Sequence, residues 1–195
     1  MNVECDLIRA YFEKNGFWVR LHEFASEISK TKSHFPFFEI FRSSNLSLVQ
    51  EKRFRLFTGD LARYESSVFG LIDWQVSGFS PDLLSNDVRL LKFFRKQIDN
   101  QKALWVGGNL KSLMKEDQLK LIVPALPKSE NKTKDLFELL KANGINGVLT
   151  MSSVLENLLR NVSGKPESRG NPSMHLLKLL KLYGLATEPQ LDIFE

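Results

Sequence analysis

Short apolar segments that alternate with amphipathic helices constrain the fold of this chain more than any other feature. Residues 120–124 (Lys-Leu-Ile-Val-Pro) and 147–150 (Gly-Val-Leu-Thr) have the length and composition of buried strands. Apolar positions at helical spacing follow each of them and predict helices over 133–142 and over about 152–161. This alternation is typical of a sheet covered on both faces. We therefore predict an α/β fold with a central mixed β-sheet flanked by helices.

The remaining patterns predict further helices and strands around that sheet. Residues 4–14 carry apolar side chains at helical spacing, and a second helix is expected from Ser85 or Asn86 to residue 97. Residues 35–41 are apolar and aromatic, and Pro36 makes this segment an edge strand or the entry to a strand. Residues 103–106 (Ala-Leu-Trp-Val) are expected to form a short buried strand.

Composition and charge limit the classes of protein to consider. The formal net charge is +4, which is compatible with a polyanionic partner, although most of the lysines are expected on solvated faces. Cys5 is the single cysteine, so it cannot form an internal disulfide, and a lone thiol suits a reducing compartment. We expect it to be a small packed residue. The three histidines show no zinc-ligand spacing. Without a run of about 18 apolar residues or a signal-peptide pattern, we expect a cytoplasmic protein.

Two acidic positions in the centre of the chain could support metal chemistry. Residues 53–58 and 68–76 read as two strands, and a hairpin is the simplest connection between them. The hairpin would place Asp60 beside Asp73, with Gln75 on the same face as Asp73 because residues i and i+2 of a strand point the same way. Two carboxylates brought together form a hard oxygen site suited to Mg²⁺, which can lower the pKa of an attacking water.

The order of these features resembles the PD-(D/E)XK nuclease superfamily. The resemblance rests on a helix, a strand, the Gly59-Asp60 step, and an apolar strand that ends in Asp73-Trp74-Gln75 before the next helix. It covers roughly residues 4–106. It implies a restriction-endonuclease-like fold in which Asp60 and Asp73 bind the metal, while Gln75 stands where the family usually has Lys.

The resemblance also implies further site residues and partners. A helix-borne Glu often joins such a site, and Glu4 is the nearest match, with Glu13 second. Lys92 or Lys96 could supply the cation that Gln75 lacks. The expected activity is that of a nuclease acting on DNA in repair, recombination or defence, with Mg²⁺, or Mn²⁺ as a substitute. Since junction resolvases and restriction enzymes are commonly dimers, a homodimer is also expected by resemblance.

Two alternatives to an active nuclease stay open at this stage. The chain could be a catalytically inactive protein of the same fold that binds DNA or another protein as a scaffold. Asp60 could also be a turn residue beside Gly59, and Asp73 a half-exposed strand acid, with no shared ion. Four phenylalanines could form a base-stacking platform for single-stranded nucleic acid, although core packing is favoured: Phe35, Phe37, Phe38 and Phe41.

The C-terminal part of the chain is predicted to be separate from the α/β domain of residues 1–162. Residues 163–195 read as a linker rich in Gly, Ser and Pro, an amphipathic helix over about 173–183, and a polar tail. Within the tail, the segment Gln190-Leu191-Asp192-Ile193-Phe194 resembles the peptide by which bacterial repair proteins hold the sliding clamp. By that resemblance Gln190 would bond a pocket rim, and Leu191, Ile193 and Phe194 would fill apolar pockets. The alternative is that this tail packs on the domain itself.

Overall fold

A mixed six-stranded sheet with helices packed against both faces forms the fold. The computed structural model describes residues 2–26, 33–43, 53–72, 74, 78–106, 119–162 and 171–186. The strands are β1 (Trp18–Ser26), β2 (Ser33–Phe41), β3 (Arg55–Leu56), β4 (Ser66–Leu71), β5 (Leu119–Val123) and β6 (Val148–Thr150). The α-helices are α1 (Val3–Lys14), α2 (Asp87–Val106), α3 (Glu130–Ala142), α4 (Met151–Asn161) and α5 (Pro172–Leu182), and 3₁₀ helices cover Thr58–Arg63 and Pro81–Ser85. This architecture confirms the predicted α/β class.

The sheet has an antiparallel half and a parallel half. Its strand order is β1-β2-β4-β5-β6-β3. The β1–β2 and β2–β4 pairs are antiparallel, whereas β4, β5, β6 and β3 run parallel to one another. Parallel neighbours need crossover connections, and α2 and α3 provide them between β4 and β5 and between β5 and β6. The carboxyl ends of β4, β5 and β6 therefore meet at one edge of the sheet.

The predicted hairpin between residues 53–58 and 68–76 is wrong. Only Arg55 and Leu56 of the first segment are in a strand, and they pair in parallel with β6. The chain then turns into the 3₁₀ helix Thr58–Arg63 because the Asp60 carboxylate accepts a hydrogen bond from the backbone N–H of Phe57, at 2.9 Å. After this turn, β4 pairs with β2 instead.

The interpretation of residues 35–41 as an edge strand is also wrong. Strand β2 is internal, with β1 on one side and β4 on the other. Pro36 is tolerated because it lies opposite Glu23 of β1, whereas pairing with β4 begins at the next residue, where Phe37 faces Gly70. Pro36 thus marks the entry to the doubly paired part of the strand.

Helix α2 begins where the sequence indicates and ends later than expected. The Asn86 side chain accepts hydrogen bonds from the backbone N–H groups of Val88 and Arg89, both at 3.1 Å, as an N-cap does. The helix continues to Val106, so the predicted strand over 103–106 is wrong. Four apolar residues in a row fit a buried helical turn as well as a strand, and periodicity alone does not separate the two.

The last described helix packs into the same apolar layer as the first. Met174 and Leu177 of α5 lie in one core cluster with the buried face of α1. The Asn171 side chain donates to the backbone carbonyl of Asp6 at 3.1 Å. Lys181 donates to the carbonyl of Leu159, near the end of α4, at 2.6 Å. These contacts join α1, α4 and α5 into one layer on one face of the sheet.

Two expectations from composition can be compared with the described residues. Cys5 is buried in α1, which confirms that it is a packed residue. Among the helices of the described ranges, none combines the length and the hydropathy that crossing a membrane requires.

Candidate functional site: a cleft at the carboxyl ends of the parallel strands

An open cleft of about 430 Å³ lies at the carboxyl edge of the parallel strands. Pro124 directly follows β5, and Met151 and Ser152 directly follow β6. Helices α1 and α4 complete the wall, so that the described lining consists of Glu4, Leu7, Trp74, Pro124, Met151, Ser152 and Leu155. Ligands of α/β proteins commonly bind outside the carboxyl ends of the strands. The position of this cleft makes it the candidate site.

Glu4 connects the first helix to the segment that follows β4. Asn2 caps α1 by accepting a hydrogen bond from the N–H of Glu4 at 2.9 Å, and an acidic side chain in the first turn is favoured by the helix dipole. Both oxygens of the Glu4 carboxylate accept the backbone N–H of Trp74, at 2.9 and 3.2 Å. In the sequence, Trp74 directly follows Asp73.

Asp73 and Gln75 themselves lie outside the described residues, and so does the tail segment with Gln190, Leu191, Ile193 and Phe194. Their predicted roles therefore stay predictions. Among the residues that the structure describes, no three His, Cys, Asp or Glu side chains are grouped closely enough to hold a metal ion.

The Trp74 indole sits at the mouth of the cleft and is held from one side. Its ring meets the ring of Phe79 edge-on, with centroids 5.5 Å apart, and Phe79 meets Phe93 of α2 in the same way. Phe79 and Phe93 are buried, whereas 47% of Trp74 is exposed. This aromatic series anchors the indole to the core, while about half of Trp74 stays exposed.

Asp60 lies in the interior and does not line the cleft. Its side chain is 5% exposed; one carboxylate oxygen accepts the Phe57 N–H, and the other pairs with the Arg63 guanidinium at 3.2 Å. Two residues earlier, Thr58 shares a hydrogen bond of 3.1 Å with the hydroxyl of Tyr11. Since α-helices rise about 1.5 Å per residue, Tyr11 is about 10 Å along α1 from Glu4. The geometry gives Asp60 a local structural role, and its predicted part in metal binding stays a prediction.

The interior around Asp60 disfavours additional negative charge. Burial raises the pKa of Tyr11 to about 12, against a lowering contribution from its hydrogen bond to Thr58, and the nearby Asp60 charge raises it further. Burial and then the Asp60 charge likewise raise the pKa of Tyr64 above its ordinary value. Both phenols therefore stay neutral and act as hydrogen-bonding and packing groups at neutral pH.

A third acid fixes the connections near the cleft. Asp87, at the start of α2, accepts the backbone N–H groups of Lys128 and Ser129 at 2.9 and 2.8 Å. These two hydrogen bonds lower the pKa of Asp87 below its ordinary value. The bonds tie the connection that leaves β4 to the connection that leaves β5, both at the carboxyl edge.

Lys92, which was predicted to supply the positive side chain that Gln75 lacks, is exposed on α2. The next residue, Phe93, belongs to the aromatic series that reaches Trp74. The helix therefore passes near the cleft, while its predicted catalytic lysine faces solvent.

Lys120 is buried, although most of the lysines were expected on solvated faces. Its side chain is 2% exposed; the ammonium donates to the Ser67 hydroxyl at 2.6 Å and lies 4.3 Å from the centre of the Tyr64 ring. The signal was present, because Lys120 occupies an inward position within the apolar run 119–123. A lysine can be retained in the interior when a neighbouring oxygen accepts its hydrogen bond and an aromatic ring interacts favourably with its positive charge.

The four phenylalanines considered as a stacking platform fall into two groups. Phe35, Phe37 and Phe38 are buried, as the favoured core interpretation requires. Phe41 is 44% exposed and pairs across the strands with Trp18, which is 69% exposed. That pair lies at the end of the sheet where β4 begins, opposite the cleft.

No protein-family model, no curated protein and no solved structure matches this chain.

Proposed function

We propose that the protein is a metal-dependent nuclease-like protein acting on DNA in repair, recombination or defence, with the cleft at the carboxyl edge as its site. The observation that supports this most directly is the pair of hydrogen bonds from the Trp74 N–H to the Glu4 carboxylate. They hold an acid of the first helix beside the residue that follows Asp73 in the sequence. The resemblance to PD-(D/E)XK nucleases calls for such a helix-borne acid.

The donors available in this part of the chain suit a hard divalent cation. Carboxylate and hydroxyl oxygens are the ligands that Mg²⁺ and Mn²⁺ accept, and Glu4 and Ser152 present them in the cleft wall. We propose Asp73 as the second carboxylate ligand. Bound metal would polarise a phosphodiester and lower the pKa of an attacking water.

The other residues have roles in positioning. In this proposal Gln75 orients the attacking water by hydrogen bonding, because an amide can donate and accept but carries no charge. Lys92 would contribute positive charge for the DNA backbone from the outer face of α2. The net charge of +4 is in keeping with a polyanionic substrate. Attachment to a sliding clamp through Gln190, Leu191, Ile193 and Phe194, and a homodimer, remain part of the proposal.

One observation favours an inactive scaffold of the same fold as the second candidate. Asp60, an acid that the resemblance assigns to the metal, is buried, closes its own turn through Phe57 and Arg63, and is not among the described residues that line the cleft. Together with Gln in place of Lys at position 75, this would leave DNA or protein binding without hydrolysis.

The test compares cleavage by four forms of the full chain. Plasmid and branched DNA would be incubated with Mg²⁺ or Mn²⁺ and with wild type, Glu4→Gln, Asp73→Asn or Glu13→Gln. We expect Glu4→Gln and Asp73→Asn to lower the cleavage rate by on the order of 100-fold or more, since each removes a ligand charge. Glu13→Gln is the matched control: although Glu13 was the second candidate for the helix-borne acid, it is exposed, paired with Arg9 and absent from the described lining of the cleft.

Calorimetry with Mg²⁺ and Mn²⁺ would accompany the cleavage assay. Wild type that binds neither ion at millimolar concentration and cuts no DNA would overturn the nuclease proposal in favour of the scaffold. Full activity in both Glu4→Gln and Asp73→Asn would show that the cleft is not the active site.

A further inference from the structure

The composition of the cleft wall indicates more than a metal site. Glu4 and Ser152 are its polar side chains, and the rest of the described lining is apolar: Leu7, Trp74, Pro124, Met151 and Leu155. A site that only held a phosphate and a cation would have no use for this apolar surface. The surface suits a flat, weakly polar group that enters beside the polar wall.

The size of the cleft restricts what that group can be. Small-molecule pockets span about 300–1,000 Å³, and the volume here, about 430 Å³, lies in the lower part of that range. One nucleoside fits such a space, whereas a base-paired duplex does not. Enzymes that handle a single base place it in a pocket between aromatic and apolar side chains.

We propose, resting on the function proposed above, that the cleft binds one unpaired nucleobase stacked on Trp74. The substrate class is then DNA with a single-stranded or extrahelical nucleotide beside the cleaved phosphodiester. The base occupies the apolar part of the cleft against Leu7, Met151 and Leu155.

Trp74 is already held in a suitable position for this role. The Glu4 carboxylate accepts its backbone N–H, and its ring makes a T-shaped contact with the ring of Phe79. The indole therefore needs little further ordering when a base arrives, which favours binding because less conformational entropy is lost. A tryptophan that served only to pack the core would be buried, as Phe79 and Phe93 are.

The experiment measures equilibrium binding of the full chain to three labelled DNAs in EDTA, where no metal-dependent cleavage occurs. The DNAs are a single strand, a fully paired duplex, and the same duplex with one extrahelical base. The variants are Trp74→Leu, Trp74→Phe and, as a matched control, Trp18→Leu, which removes the exposed tryptophan at the other end of the sheet. Thermal unfolding of each variant checks that it is folded.

We expect Trp74→Leu to weaken binding of the single strand and of the extrahelical-base duplex by about 5- to 150-fold, the range for loss of one base-aromatic stack. Binding of the paired duplex should not change. Trp74→Phe should retain most of the affinity because it keeps an aromatic face, and Trp18→Leu should bind the three DNAs as wild type does.

Two results would overturn the inference: Trp74→Leu binding all three DNAs as wild type does, or losing affinity for all three equally. Wild type that binds none of the DNAs would also overturn it. The two proposals fail separately. Loss of cleavage in Glu4→Gln with unchanged binding in Trp74→Leu would leave the nuclease without the base site. Selective loss of single-strand binding in a protein that cuts no DNA would leave a base-binding cleft on an inactive scaffold.

Discussion

The acid in the interior and the acids at the carboxyl edge hold the chain in different ways. Asp60 bonds residues three positions away on either side, Phe57 and Arg63, so its contacts close its own turn. Glu4 bonds the backbone 70 residues away at Trp74, and Asp87 bonds the backbone 41 and 42 residues away. A local contact stabilises one turn, whereas a distant one fixes the relative position of two elements that form a cleft.

The largest expected effect comes from removing the interior acid. Asp60→Ala would remove a buried carboxylate, and with it the acceptor of the Phe57 N–H and the 3.2 Å ion pair with Arg63. We expect the free energy of unfolding to fall by about 2–4 kcal/mol, as for a broken buried pair. Glu4→Ala, at the more exposed edge, should cost less than about 1 kcal/mol. Urea denaturation of both variants measures the difference, and equal losses would contradict it.

A second test uses alkaline pH, to which the interior should respond. The folded pKa of Tyr11 is about 12 and the unfolded value is 10.0, so the unfolded chain loses its proton first. The stabilising contribution is complete below pH 10 and is lost as pH rises toward 12, by about 2–3 kcal/mol in total. Urea denaturation between pH 9 and pH 12 should show this loss in wild type.

The matched variant for that test is Tyr11→Phe, which has no phenol to ionise. Above pH 10, the free energy of unfolding of Tyr11→Phe should decline less steeply than that of wild type. Part of the decline that remains would come from Tyr64, whose pKa is also raised. Parallel declines in the two proteins would show that Tyr11 is not the group responsible.

The smallest expected effect is at acidic pH and belongs to the edge. The pKa of Asp87 is lowered by the N–H groups of Lys128 and Ser129, so its contribution is present above its unfolded pKa of 3.8 and is lost as pH falls through the folded value. Between pH 5 and pH 2, the Tm of wild type should fall by slightly more than the Tm of Asp87→Asn. The control is Asp82→Asn, in the 3₁₀ helix just before, which should follow wild type.

What the sequence predicted correctly rests on local signals. The α/β class, the Asn86 cap of α2 and the strands near 120–124 and 147–150 follow from periodicity and from capping residues. The failed hairpin shows the limit. Arg55 and Leu56 pair with β6, more than 90 residues later, and nothing near them in the sequence specifies that partner.

The candidate site was predictable only in part, for the same reason. The resemblance singled out Glu4, and the structure holds it against the backbone beside position 73. The other lining residues are brought together by the crossover connections, and Pro124, Met151 and Ser152 carry no motif of their own. Position 74 was predicted to lie in the strand over 68–76, whereas β4 ends at Leu71 and Trp74 lines the cleft.

The packing of α5 against α1 has a consequence for how the protein is made. During synthesis, α1 leaves the ribosome before α5, yet its apolar face packs in one core cluster with Met174 and Leu177, and the Asn171 side chain donates to the backbone carbonyl of Asp6. The first helix thus stays incompletely covered until residues 172–182 have emerged. The nascent chain is most exposed to misassociation and most dependent on chaperones in that interval, and a translational stall before residue 172 would release a chain with an open core.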